Sequence, residues 1–76
     1  MKETDKLRVL IPHWIEHNIE HADEFRDWAE RAGDAAKDIR EAADRIKLAN
    51  QALFSALERL GGSLPHPFLN KEMDKE

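Results

Sequence analysis

The sequence predicts an all-α protein: an antiparallel two-helix hairpin that dimerises into a four-helix bundle, followed by an extended C-terminal tail. Three observations lead there. Apolar residues recur at seven-residue intervals in both halves of the chain, Gly33-Asp34 divides those halves, and Gly61-Gly62 closes the second. Seven-residue recurrence is the period of helices packed along a shared seam, and glycine after a periodic run is a helix stop.

With 76 residues the chain is one domain. Domains of this size bury a modest fraction of their surface and lean on disulfides, metals or oligomerisation. There is no cysteine, which excludes disulfides, thiolate metal sites and cysteine nucleophiles. What remains is a metal held by histidine and carboxylate, or a partner chain. Charged residues at 37% and hydrophobic ones at 41%, with few aromatics, suit a small, soluble, helical protein. A net charge of −4 argues against non-specific binding to nucleic acid or to anionic membrane. No apolar run reaches the length of a spanning helix, and the N-terminus lacks a signal-peptide core, so the expected location is the cytoplasm.

The hairpin domain is expected over 1–62. Its first helix should run from about 4 to 32, with the Thr4 hydroxyl capping the following turn. Pro12 leaves two versions open: a kinked helix from Thr4, or a short lead-in turn and a helix starting at Pro12. Both place His13 to Glu24 in helix. Gly33 ends the helix in the left-handed conformation, and Asp34 caps a second helix over 34–60. Lys37–Glu41, Arg40–Asp44 and Glu41–Arg45 then pair opposite charges along an exposed face. In the tail, 63–76, Pro65 and Pro67 flank His66; Leu64, Phe68 and Leu69 are expected to dock on the helices, and the last six residues to be disordered.

The second helix carries three parallel rows: Ile39, Ile46, Leu53, Leu60; Ala35, Ala42, Ala49, Ala56; and Ala36, Ala43, Asn50, Leu57. Together they cover roughly 160° of its circumference, more than the ~100° stripe one packing partner requires. A second copy of the chain is the simplest cover, hence the homodimer. The first helix repeats Leu7, Trp14, His21, Trp28, with Ile11, Asn18, Phe25, Ala32 beside it. This assigns both tryptophans to the core and His21 to the seam between them, with His17 at the rim and His13 toward solvent. Equal helical rise on both sides of Gly33 brings Asn50 level with His17 and Asn18, a polar layer within the core.

Three of the four histidines, His13, His17 and His21, stand four residues apart, so on a helix they stack along one ridge. Two imidazoles at that spacing can share one ion. Glu20 or Glu24 could supply an oxygen, and His66 or a second subunit further ligands. Zinc, nickel, cobalt and copper are the ions that suit such donors. Between Arg8 and Arg26 there is no Lys or Arg, whereas Glu16, Glu20, Asp23 and Glu24 all lie there. Glu16–Glu20 and Glu20–Glu24 are like-charge pairs, mildly destabilising unless a cation offsets them. The alternative is structural: histidines hydrogen-bonded to neighbouring carboxylates, with Asn18 and Asn50 fixing register.

Catalysis finds little support. The Glu-x-x-His signature of di-iron bundles is absent, since Leu10, Trp14 and Asn18 precede the histidines at that spacing. His13-Trp14-Ile15-Glu16-His17 matches the inverted zincin order His-x-x-Glu-His, and His17 to His21 repeats it. A peptidase also requires a cleft and a third ligand. No glycine-rich phosphate loop or nucleophile elbow occurs.

The stretch Leu10-Ile11-Pro12-His13-Trp14-Ile15-Glu16-His17-Asn18, continuing to Glu20-His21, resembles a motif of short uncharacterised prokaryotic proteins that form small helical domains. The resemblance implies a natural domain family and confers no established activity. The leading expectation is therefore a small cytoplasmic metal-binding protein, carrying or sensing a metal through His13, His17 and His21 with Glu20 or Glu24. The alternative is a helical dimerisation module that meets itself or an unidentified protein.

Overall fold

The computed structural model describes residues 2–64. Helix α1 spans Glu3–Ala29, a single 3₁₀ turn follows at Gly33–Ala35, and helix α2 spans Ala36–Leu60. The two helices lie antiparallel, as the pairs Arg8–Gly62, Asn18–Asn50 and Arg26–Asp44 show. This is the predicted hairpin. Two helices side by side form a single layer, a slab one helix thick. Among the described residues, no helix is long and apolar enough to cross a membrane.

Pro12 sits inside α1 without ending it, which settles the choice left open by the sequence in favour of one helix through the proline. A proline has no N–H to give the carbonyl four residues earlier, here Arg8. That carbonyl accepts instead from the Leu64 amide, N to O 3.1 Å. The N-cap is Lys2, with no side-chain cap, and Thr4 lies within the first turn; the expected Thr4 cap is not formed. Glu3 and Asp5 place negative charge beside the N-terminal end of the helix dipole.

The turn also differs in detail from expectation. Helix α1 stops at Ala29 rather than near Ala32. Tightened bonds from Arg31 N to Trp28 O (3.0 Å) and Ala32 N to Ala29 O (3.1 Å) wind it down before Gly33 takes φ +56. Asp34 falls inside the 3₁₀ turn, and the N-cap of α2 is Ala35, again without a side-chain bond. Backbone geometry makes this corner where the sequence suggested a carboxylate cap. At the far end Gly61 adopts φ +108. Its amide reaches Glu58 O at 3.1 Å and that of Gly62 reaches Leu57 O at 2.9 Å, the paired bonds of a Schellman closure.

The seam between the helices is built from Ile11, Ile15, Ala22 and Ala29 of α1 against Ala43, Asn50 and Leu57 of α2, all buried. Leu7, Leu53, Ala56 and Leu60 pack half-buried around the Ile11–Ile15–Leu57 cluster at the open end. Toward the turn the fully buried residues are alanines, and Ala29 and Ala43 are essentially inaccessible. Backbones that meet over alanine leave no room for an indole. Trp14 and Trp28 are consequently 41% and 58% exposed, so their expected place in the core is corrected: they stand on the flank of the hairpin. Of the three predicted α2 rows, the one through Ala43, Asn50 and Leu57 is the seam.

The predicted polar layer is present. Asn18 Nδ2 donates to Asn50 Oδ1 at 2.8 Å, and Asn50 Nδ2 donates to the Ile15 carbonyl at 3.2 Å. Both ends of the buried Asn50 amide are thereby partnered, which removes the desolvation penalty of an unpaired group.

Candidate functional site

The histidines follow from the same rotation of the seam. Ile11, Ile15 and Ala22 set the inward direction of α1, and at about 100° per residue His21 falls on the flank with the two tryptophans. The expected order is reversed. His13 is 7% exposed, His17 half-buried and His21 exposed. His13 is buried without belonging to the Ile11–Ile15–Leu57 cluster between the helices. Val9 is likewise buried outside that cluster.

The ridge itself is continuous. The ring centroids of His13 and His17 are 4.1 Å apart, and those of His17 and His21 are 6.4 Å apart. His21 Nδ1 stands 3.8 Å from Glu24 Oε1. Glu20 and Glu24 are exposed and border a shallow hollow with His17, His21 and Trp28. Among the described residues, no three His, Asp or Glu side chains are gathered to hold a metal ion. His66 lies outside the described residues, as do Phe68 and Leu69. Within one chain, then, the structure brings His13 to His17 and His21 to Glu24, in pairs.

The two flanks of the slab differ in chemistry. On one, Ile19 and Phe54 open a groove of ≈ 430 Å³ bordered by Asp23, Arg26, Lys47 and Gln51. Arg26 Nη2 crosses that flank to Asp44 Oδ1 at 3.5 Å and its Nη1 lies 3.7 Å from Asp23 Oδ1. The other flank carries Trp14, His21 and Trp28 on α1 beside Ala42, Ala49 and Ala56 on α2. None of these six is an acid, a lysine or an arginine. Arg31 covers the Trp28 ring with its guanidinium carbon 4.5 Å from the centroid, a cation–π contact.

By sequence Arg8 marks only the edge of the stretch without Lys or Arg. Its Nε donates to Gly62 O at 2.7 Å and its Nη2 to Gly61 O at 2.9 Å, while Nη1 stands 3.7 Å from Asp5. A cation thus sits on the carbonyl end of α2, where the helix dipole favours it. The helical rise that places Asn50 opposite Asn18 also places Leu60 opposite Arg8, so this clasp was within reach of the same arithmetic.

Taken together, these features define a small all-α hairpin, with a satisfied polar layer and two unequal flanks. The chain belongs to a family described as a domain of unknown function (DUF8180), whose profile matches residues 7–60. The match spans both helices and the turn, and bears out the resemblance seen in the Leu10–His21 stretch. An uncharacterized protein of Archaeoglobus fulgidus is 31% identical over 61 residues, covering 75% of this chain and 98% of its own length. No solved structure matches the chain.

Proposed function

We infer that this protein is a helical association module, which works by presenting an apolar helical face that another helical surface completes. The observation that supports it is the surface left open by the slab. Five large apolar side chains stand exposed on the described helices: Trp14, Ile19, Trp28, Leu48 and Phe54 are each 41–61% accessible. Apolar side chains left open in this number on a two-helix layer mark a surface that a partner covers. In its simplest form the module is a homodimeric four-helix bundle. Sedimentation equilibrium from micromolar to millimolar concentration tests the reading. The expected species has about twice the 8.8 kDa chain mass. A monomer that persists across the range and melts cooperatively refutes it.

One observation favours a second reading, in which the ridge binds zinc, nickel, cobalt or copper. His13 and His17 present their rings 4.1 Å apart, the neighbouring imidazoles that a borderline ion takes as two of its ligands. Further donors would come from His21, Glu20 or Glu24, of which His21 and Glu24 stand 3.8 Å apart. Calorimetric titration at neutral pH tests it: binding must be tighter than to a variant with His13, His17 and His21 all replaced by Ala.

A further inference from the structure

We propose that the partner is a second copy of this chain, docked through the tryptophan–alanine flank about a two-fold axis parallel to the helices. Helix α1 of each copy then lies against α2 of the other. This rests on the association reading above and specifies its geometry.

The choice of flank comes from chemistry. Both flanks expose apolar side chains, but the Ile19–Phe54 groove is bordered by Asp23, Arg26 and Lys47 and crossed by the Arg26–Asp44 ion pair. The opposite flank carries Trp14, His21 and Trp28 on one helix and Ala42, Ala49 and Ala56 on the other. Glu24 stands beside His21 and Arg31 beside Trp28, and among the described residues no ion pair crosses this flank from helix to helix. Large side chains on one helix and small ones on its neighbour make a surface that complements itself, provided that α1 meets α2.

That condition selects the axis. A two-fold axis across the slab would stack tryptophan on tryptophan and alanine on alanine. An axis along it sets α1 antiparallel to α2 of the second copy, at the level already fixed inside each chain by Asn18 opposite Asn50. The register then falls into place at every step. Trp14 meets Ala56, His21 meets Ala49 and Trp28 meets Ala42 of the second copy, each two residues beyond the Asn18–Asn50 level. The same two-residue offset from the Asn18–Asn50 level is seen within the chain in the pairs Arg26–Asp44 and Arg8–Gly62.

Charges at the border of the flank agree with the same register. Glu24 falls opposite Arg45 of the second copy, and Arg31 opposite Asp38. Both are opposite-sign pairs, and all four side chains are exposed in the single chain. Such pairs add little affinity and instead select orientation.

The chain has no cysteine, so single cysteines report contacts cleanly. His21→Cys and Ala49→Cys chains, carrying different tags, are mixed, refolded together and oxidised with diamide. The expected product is a 21–49 disulfide between the two tags, with little 21–21 disulfide in His21→Cys alone. Separately, Ala49→Trp is expected to shift the wild-type dimer to monomer in sedimentation equilibrium, whereas Phe54→Ser on the other flank leaves it dimeric. A dimer that cross-links 21–21, or that dissociates with Phe54→Ser and not with Ala49→Trp, overturns this geometry while the association reading stands. A wild-type chain that is monomeric throughout overturns both.

Discussion

Pro12 and Leu64 are the two halves of one hydrogen-bond substitution. The proline withholds the N–H that Arg8 O would accept within the helix, and Leu64 N supplies one from across the hairpin at 3.1 Å. A proline that would otherwise weaken α1 therefore creates the acceptor that fixes the chain after Gly61-Gly62. The two positions should be energetically coupled. Leu64→Pro removes the donor and strands a carbonyl, at a cost of about 1–2 kcal/mol. In a Pro12→Ala background the helix satisfies that carbonyl itself and the cost should shrink. Urea midpoints of the four proteins at one concentration give the coupling; a value of zero refutes the link.

Arg8 holds the same end by its side chain. Arg8→Met keeps much of the aliphatic stem but loses the bonds to Gly61 and Gly62. It should destabilise by about 1–2 kcal/mol, given charge-assisted bonds that are partly open to solvent. Arg8→Lys should recover part of this, since an ammonium restores the charge but not the forked geometry. Full recovery by lysine would mean that only the charge matters. Chemical denaturation of the three proteins decides.

Gly61 is tied into that clasp by its backbone. At φ +108 an L-residue is strained by roughly 1–2 kcal/mol, and a Cβ there would stand 3.3 Å from Arg8 Cζ. Gly61→Ala should therefore lower stability in the wild type by more than in Arg8→Met, where the guanidinium is gone. Equal losses in the two backgrounds would assign the whole effect to the backbone.

The Asn18–Asn50 pair yields a prediction of opposite sign for single and double changes. Asn50→Leu leaves the Asn18 amide and the Ile15 carbonyl without their partner, costing about 1–3 kcal/mol. Replacing both asparagines by Leu should return most of that or exceed the wild type, since an apolar layer needs no partners. The double variant should also lose specificity of alignment, the usual role of a lone polar layer. Thermal melts and sedimentation profiles across the four proteins test both parts.

The level of Asn50 opposite Asn18 was legible in the sequence because it depends only on helical rise and the position of the turn. The glycine stop at Gly61 and the hairpin itself were legible for the same reason. The rotation of α1 was not. Trp14, His21 and Trp28 form as regular a row as Ile11, Asn18 and Phe25, and periodicity alone cannot say which faces α2. Size decides it: alanines at Ala22, Ala29 and Ala43 let the backbones close, and the indoles are left outside. That one rotation also inverted the order of the histidines. The burial of His13 was not legible either, since it lies outside the Ile11–Ile15–Leu57 cluster that the apolar period marks.

The cross-helix bonds also form a ladder of increasing sequence separation from the turn outward. Arg26–Asp44 spans 18 positions, Asn18–Asn50 spans 32, and Arg8–Gly62 spans 54. Each rung closes only a short additional loop once the one before it is in place, which keeps the entropy of closure small at every step. The hairpin can thus assemble like a zipper from Gly33, with the Arg8 clasp as the last tooth to engage and the first to let go. Amide exchange should record that history as a gradient, fastest near Arg8 and Leu64 and slowest around the asparagine layer.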